Sequence, residues 1–352
     1  MFYKSAIAVY PHTVIGRRRI TINIVRKMGD SGKFKVFIAR SDMPESGIEI
    51  LKKQCEVKIW NAPLPIPRSD LLKSVPGVNG IYCSLTENID KELLDAAGPT
   101  LKVIATISVG YDHIDLAECK KRGIRIGHTP DVLTDATAEL TLALLLCTSR
   151  RLPEAIHEAK TGGWLSWAPS WMTGPGLANA TVGIVGFGRI GQAVAKRVKS
   201  FNTSQLLYFN RSERPEAKEI GAIKVSFDEL LSRSDFVICC AALATETKEL
   251  FNKCAFEKMK KTAVFINTSR GAIVDQNALI EALQNGIIGA AGLDVTTPEP
   301  LPLDSPLFKL KNCVILPHIG SATIETRSKM SEMTANNILA GLNGTKMPAE
   351  LL

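Results

Sequence analysis

A proton donor that works near neutral pH, an acid that steadies it and a planar cation that holds an anion are all present here, each just after a short apolar run. His318 lies in ILPHIGSAT (315–323), Glu299 in LDVTTPEP (293–300) and Arg270 in NTSRG (267–271). Imidazolium is the side chain best able to release a proton close to pH 7. A neighbouring carboxylate favours its charged form and fixes its orientation. A guanidinium meets a carboxylate through two parallel N–H donors, which a lysine cannot do. Taken singly, each has an ordinary use: surface cation, loop charge, satisfied histidine near the core. Their common place at the ends of apolar runs is what joins them.

Those runs belong to a series that starts at TVGIVG (181–186) and continues through QLLYFN, DFVICC, AVFINTS, GAAGLDV and CVILP, with helical patterns between. Six buried strands alternating with helices predict a doubly wound parallel sheet, whose ligands bind beyond the carboxyl ends of the strands. The first turn carries Gly186, Gly188 and Gly191 in G-x-G-x-x-G spacing, after a strand and before a helical stretch. In that context the glycines serve a tight turn, close approach of a pyrophosphate, and packing of helix on strand. The helix N-terminus then offers free N–H groups to the phosphates. Nineteen residues beyond Gly191, where an acid would bind a ribose 2′-hydroxyl, stand Asn210, Arg211 and Ser212. An uncharged residue followed by guanidinium and hydroxyl suits a 2′-phosphate, so NADPH is favoured and NADH is possible. With hydride passing from such a cofactor to the carbonyl carbon of a 2-oxo acid, His318 would protonate the alkoxide, Glu299 would steady the imidazole and Arg270 would hold the carboxylate.

Upstream, FKVFIAR, CEVKIW, GIYCS and LKVIATIS are separated by amphipathic segments over residues 34–130, which predicts a second parallel β-α sheet. A helix is expected from about Asp131 to Arg150, with Thr134 or Asp135 as N-cap, and another over Thr323 to Leu342. The most apolar stretch, LTLALLLC (140–147), is far shorter than the roughly 20 residues of a membrane span and reads as buried helix. His12, His113, His128 and His157 read as structural or exposed.

Length and charge bound the rest. A chain of 352 residues suggests two domains. The net charge of +8 comes mainly from residues 1–29, which hold six basic residues and no acid; the remaining 37 basic residues face 35 acidic ones. That balance argues against nucleic acid as a partner. An acid-poor, Arg-rich leader suggests mitochondrial import, with Met28 as a second start for a cytoplasmic form. The eight cysteines form no C-x-x-C pair, so no metal site is expected, and buried thiols in a reducing compartment are. Three of four tryptophans, Trp164, Trp167 and Trp171, crowd GGWLSWAPSWMTGPG (162–176), a density that suits an interface.

Taken together, LKVIATISVGYDHID, GIRIGHTPDVLTDATAELTLALLL, VGIVGFGRIGQA, FINTSRGAIVDQNAL, AAGLDVTTPEPLP and NCVILPHIGSAT make the chain resemble the D-2-hydroxyacid dehydrogenase family over residues 34–352. The resemblance implies two Rossmann-like domains. The dinucleotide domain (132–322) would be inserted into a split substrate domain, made of residues 33–131 and a returning C-terminal helix (323–352), with residues 1–32 as leader. It implies His318 as proton donor, Glu299 as its partner and Arg270 as the substrate arginine. Val109 and Gly110 would hold the substrate carboxylate through backbone N–H groups, with Ser321 beside the histidine. Phe187, Arg189 and Ile190 in the glycine turn, with Thr268, Asp294 and Gly320, fall among the cofactor contacts. Ala242 stands where relatives offer a hydroxyl to the cofactor. The implied activity is reduction of glyoxylate and hydroxypyruvate, by a homodimer joined through residues 150–176; the tryptophan cluster adds the hypothesis that one ring reaches the partner's substrate site and narrows it. A D-lactate type of dehydrogenase and a dinucleotide-regulated corepressor are the alternatives. Glu299 argues against the formate dehydrogenase branch, and the lack of a long tail against the corepressor and regulated phosphoglycerate branches.

Overall fold

Short apolar runs become two separate parallel sheets in the computed structural model, which describes residues 32–352; the leader and its proposed targeting role lie outside the described residues. The first sheet contains β1 (Phe34–Ile38), β2 (Cys55–Ile59), β3 (Gly80–Cys83), β4 (Val103–Thr106) and β5 (Arg125–Gly127), in the order β2-β1-β3-β4-β5. Side chains alternate across it, as the strand period requires. Val36, Ile38, Tyr82 and Val103 pack on one face with Met330 and Ile338, while Phe37, Ile81 and Ile104 face Leu71, Leu93 and Leu94 on the other. Met330 and Ile338 belong to the helix Ile324–Asn343, so the C-terminal helix returns to cover the first sheet.

The second sheet contains β6 (Thr181–Val185), β7 (Gln205–Phe209), β8 (Ala222–Lys224), β9 (Phe236–Cys239), β10 (Val264–Asn267), β11 (Ala290–Leu293) and β12 (Cys313–Ile315). Its order is β12-β11-β10-β9-β6-β7-β8, with every pairing parallel. The order reverses between β6 and β9, which opens a crevice beyond their carboxyl ends. Val182, Ile184, Phe236 and Ile266 form a core with Leu144 and Leu145 of the helix Thr134–Ser149; Val237, Phe265 and Ala291 form another with Leu230 and Leu279.

Each sheet has one strand more than the apolar pattern predicts. β5 and β8 are three-residue edge strands whose apolar residues are interrupted by Arg125 and Lys224, so no apolar run marks them. The expected N-cap is also different: Leu133 occupies the cap position without a side-chain bond, and the Asp135 carboxylate pairs instead with Arg197 at 2.9 Å. The thiols are not uniformly buried, since Cys254 is exposed and Cys147, Cys240 and Cys313 are intermediate. No helix among the described residues is long and apolar enough to cross a membrane; the 140–147 run lies inside the helix Thr134–Ser149, with Leu144 and Leu145 in a core.

Candidate active site

His318 follows β12 in a left-handed backbone conformation (φ 53°) that only a fixed loop sustains in a non-glycine residue. Asp294, at the end of β11, fixes it. Its backbone carbonyl accepts the His318 N–H at 2.9 Å, and its two carboxylate oxygens accept the Ile319 and Gly320 amides, each at 2.8 Å. Burial pushes the Asp294 carboxyl above its ordinary value, against the pull of those amides. The His318 Nδ1 lies 2.7 Å from Glu299 Oε2. Glu299 Oε1 accepts the Thr296 amide at 3.1 Å, which aims the carboxylate at the ring. Burial alone would raise the Glu299 carboxyl, but the hydrogen bond and charge of His318, the Thr296 amide and Arg270 hold it below its ordinary value. With Nδ1 committed, Nε2 is the nitrogen left for other chemistry.

Arg270 stands just beyond β10, on the short turn held by Asn267, whose side chain donates to the Arg270 carbonyl at 3.0 Å. Its Nε donates to Asp112 Oδ1 at 3.0 Å and its Nη1 to the Ser269 carbonyl at 2.9 Å. Asp112 follows β4 of the other sheet, so this pair spans the two sheets. Gly110 makes the approach possible: a Cβ there would lie 1.7 Å from Arg270 Nη2. The loop that carries Val109 and Gly110 is thus brought against Arg270.

The glycine turn sits at the switch point. Gly186 has φ 91°, and a Cβ there would meet the Ala241 backbone at 2.5 Å, so both its conformation and its room exclude a side chain. A Cβ on Gly191 would meet the Gly186 carbonyl at 2.2 Å, while around Gly188 nothing lies within 4 Å. The helix Arg189–Lys199 has no side-chain cap, which leaves its first amides available to an anion. An open backbone face and an uncapped helix start are what a pyrophosphate needs, so the turn fits a dinucleotide.

A family model for the NAD binding domain of D-isomer specific 2-hydroxyacid dehydrogenases matches residues 142–320. The chain is also 56% identical over 319 residues to the Homo sapiens glyoxylate reductase/hydroxypyruvate reductase, covering 90% of this chain and 97% of that one. It belongs to the D-isomer specific 2-hydroxyacid dehydrogenase family. Among solved structures, a Thermus thermophilus protein aligns with a TM-score of 0.85 at 43% identity, covering 91% of this chain and 100% of that one. The NADPH-dependent glyoxylate/hydroxypyruvate reductase of Sinorhizobium meliloti, solved with NADP and malonate, gives 0.79 at 30%, covering 91% and 97%. This dehydrogenase is therefore an oxidoreductase that uses a nicotinamide dinucleotide.

Other predicted positions in the dehydrogenase fall as follows. Asn210 Oδ1 accepts the Phe187 amide at 3.3 Å and its Nδ2 donates to the Ser212 carbonyl at 2.9 Å, so it ties the glycine turn to the loop after β7. Arg211 and Ser212 are exposed there. The Phe187 ring is fully buried and stacks on Tyr208 at 4.3 Å, so only its backbone faces the turn. Ile190 also packs against the core. Arg189 pairs with Asp131 at 2.5 Å. The Thr268 hydroxyl bonds that of Thr141 at 2.7 Å. Ala242 is exposed and has no hydroxyl to offer. Ser321 lies in the turn that Thr323 closes by capping the helix Ile324–Asn343. Among the described residues no cluster of His, Cys, Asp or Glu could hold a metal ion.

Three residues near the site escape a reading by spacing. His128 Nδ1 lies 3.1 Å from the Val109 carbonyl and so braces that loop. His113 buries both ring nitrogens without a partner, and burial lowers it to about 4, so it is neutral. Asp112 pairs with Arg270. All three fall in quoted motifs, but sequence distance carries no sign of which groups the fold brings together.

Proposed function

We propose that this dehydrogenase reduces glyoxylate to glycolate and hydroxypyruvate to D-glycerate with NADPH. The observation that carries the proposal is the His318–Glu299 pair at 2.7 Å, with Arg270 near enough for its charge to act on the Glu299 carboxylate and its guanidinium held against the Gly110 loop. The reduced nicotinamide, when bound, supplies the hydride. Arg270 and the backbone N–H groups of Val109 and Gly110 hold the substrate carboxylate and so orient the adjoining carbonyl. His318 gives a proton from Nε2 to the carbonyl oxygen as charge develops there. Glu299 stabilises the imidazolium before transfer and keeps the ring from turning. Asp294 holds the loop that carries the ring, with Gly320 and Ser321 following at the edge of the cleft.

The turn from Gly186 to Gly191, with Phe187, Arg189 and Ile190 contributing backbone, receives the pyrophosphate, and Thr268 and Ala242 border the same crevice. Asn210 occupies the place of the acid that would repel a 2′-phosphate, and exposed Arg211 and Ser212 supply the donors for one. Residues 33–131 and 323–352 serve the substrate side and residues 132–322 the cofactor side. The protein works as a homodimer joined through residues 150–176. A side-by-side assay tests the proposal: absorbance at the nicotinamide band with NADPH or NADH, and glyoxylate, hydroxypyruvate or pyruvate. Fast oxidation of NADPH by the first two acids is expected; a preference for pyruvate would point to the D-lactate reading instead.

A further inference from the structure

We propose that Asp112 is the positioning residue for the Arg270 guanidinium: it holds Nε so that Nη2 stays turned to the Gly110 backbone, where the substrate carboxylate binds. The inference rests on the role given to Arg270 above. Arginine has five N–H donors in a rigid fork. Nε is taken by Asp112 Oδ1 at 3.0 Å and one donor of Nη1 by the Ser269 carbonyl at 2.9 Å. Nη2 is left over, lying against Gly110. A carboxylate bonded to Nε closes the side-on mode of anion binding and leaves donors at the tip of the fork, where Nη2 lies against Gly110.

Asp112 is itself held in place. The Ser108 hydroxyl donates to the Gly110 carbonyl at 2.6 Å, the Ile89 amide to the His113 carbonyl at 2.8 Å, and the Ile114 amide to the Tyr111 carbonyl at 3.0 Å. The backbone on both sides of Asp112 is therefore fixed before any substrate arrives. Burial would raise its carboxyl, and the charge and hydrogen bond of Arg270 reverse that, so it is ionised near neutral pH. An aspartate here also places negative charge near an anion-binding group, which opposes substrate entry. Orientation outweighs this because the direct bond acts at contact, whereas the repulsion is spread over a cleft open to water and screened there. Without Asp112, a long side chain would be directed by one backbone carbonyl alone, and an ångström of misplacement costs on the order of 100-fold.

The test combines kinetics with equilibrium binding of oxamate, an unreactive analogue of small 2-oxo acids that carries the same carboxylate beside a carbonyl, to the enzyme loaded with NADPH. Asp112→Ala should raise KM for glyoxylate and Kd for oxamate by about 10- to 100-fold, lower kcat far less, and leave NADPH affinity unchanged. Asp112→Asn keeps an acceptor at Oδ1 and should recover most of the loss; a bulk structural role would not give that pattern. If Asp112→Ala fails to fold, Asp112→Ser, too short to reach Nε, takes its place. On an Arg270→Ala background the Asp112 substitution should have no further effect on oxamate. Unchanged oxamate affinity in Asp112→Ala, or a full effect persisting without Arg270, overturns the inference. Arg270→Ala measured alone separates the two proposals: unchanged oxamate affinity there would remove the role of Arg270 itself.

Discussion

His318 and Glu299 are bound through Nδ1, and this sets what each substitution should do. His318→Ala should keep dinucleotide affinity and lose turnover by about 100-fold or more, the usual worth of a general acid; near-normal turnover in a stopped-flow assay would remove the proton donor. Glu299 gives a pH prediction. Its carboxyl lies below its ordinary value of 4.5 in the folded protein. A group made more acidic by folding contributes stability that is complete above its unfolded value and disappears as pH falls through the folded one. Wild type should therefore melt above Glu299→Gln at neutral pH, and the gap should narrow and close as pH falls below the ordinary carboxyl value of 4.5 and through the lower folded one. A gap independent of pH would show that the carboxylate's charge is not what the fold uses. The chemistry proposed for these residues is read from their types and from their place after apolar runs. Their contacts are not: the 2.7 Å pair depends on two different loops, and Asp112 meets Arg270 across 158 residues of chain.

Strands and turns were legible wherever a run of four or more buried residues could show itself. The paired edges β5 and β8 were missed because Arg125 and Lys224 cut their apolar residues into ones and twos, whereas β12, equally short and at an edge, sits in the unbroken run CVIL. The glycine turn was legible in full, and the reason is steric: Gly186 stands at φ 91° with its neighbour's backbone 2.5 Å from any added Cβ. Gly186→Ala should accordingly lower the melting temperature and abolish dinucleotide binding measured by nicotinamide fluorescence; a variant that binds normally would show that the turn relaxes. The end of β7 decides cofactor choice in this scheme. Arg211 is exposed and its guanidinium is uncommitted among the described residues. Arg211→Ala should raise Kd for NADPH by about tenfold, the scale of a charge-assisted hydrogen bond, and leave NADH nearly unchanged. Equal loss for both cofactors would mean that the guanidinium does not meet the 2′-phosphate.

Across the whole molecule, Arg270 and Asp112 join the two sheets, and the stretch 162–171 is exposed throughout. That loop exposes Trp164 at 63%, Leu165 at 91% and Trp167 at 82%. Side chains of this size rarely stand together in water on a monomer, since burying each would contribute about 2 kcal/mol or more. In the proposed homodimer a second copy of the chain would cover this loop, with the apolar side chains as anchors at the centre of the contact. Replacing Leu165 and Trp167 together by serine should shift the protein toward monomer in sedimentation velocity, with the shift growing on dilution. Dinucleotide binding should survive, because the glycine turn draws no support from this loop. A double variant that sediments like wild type at every concentration would place the interface elsewhere and leave the exposed rings without a covering partner.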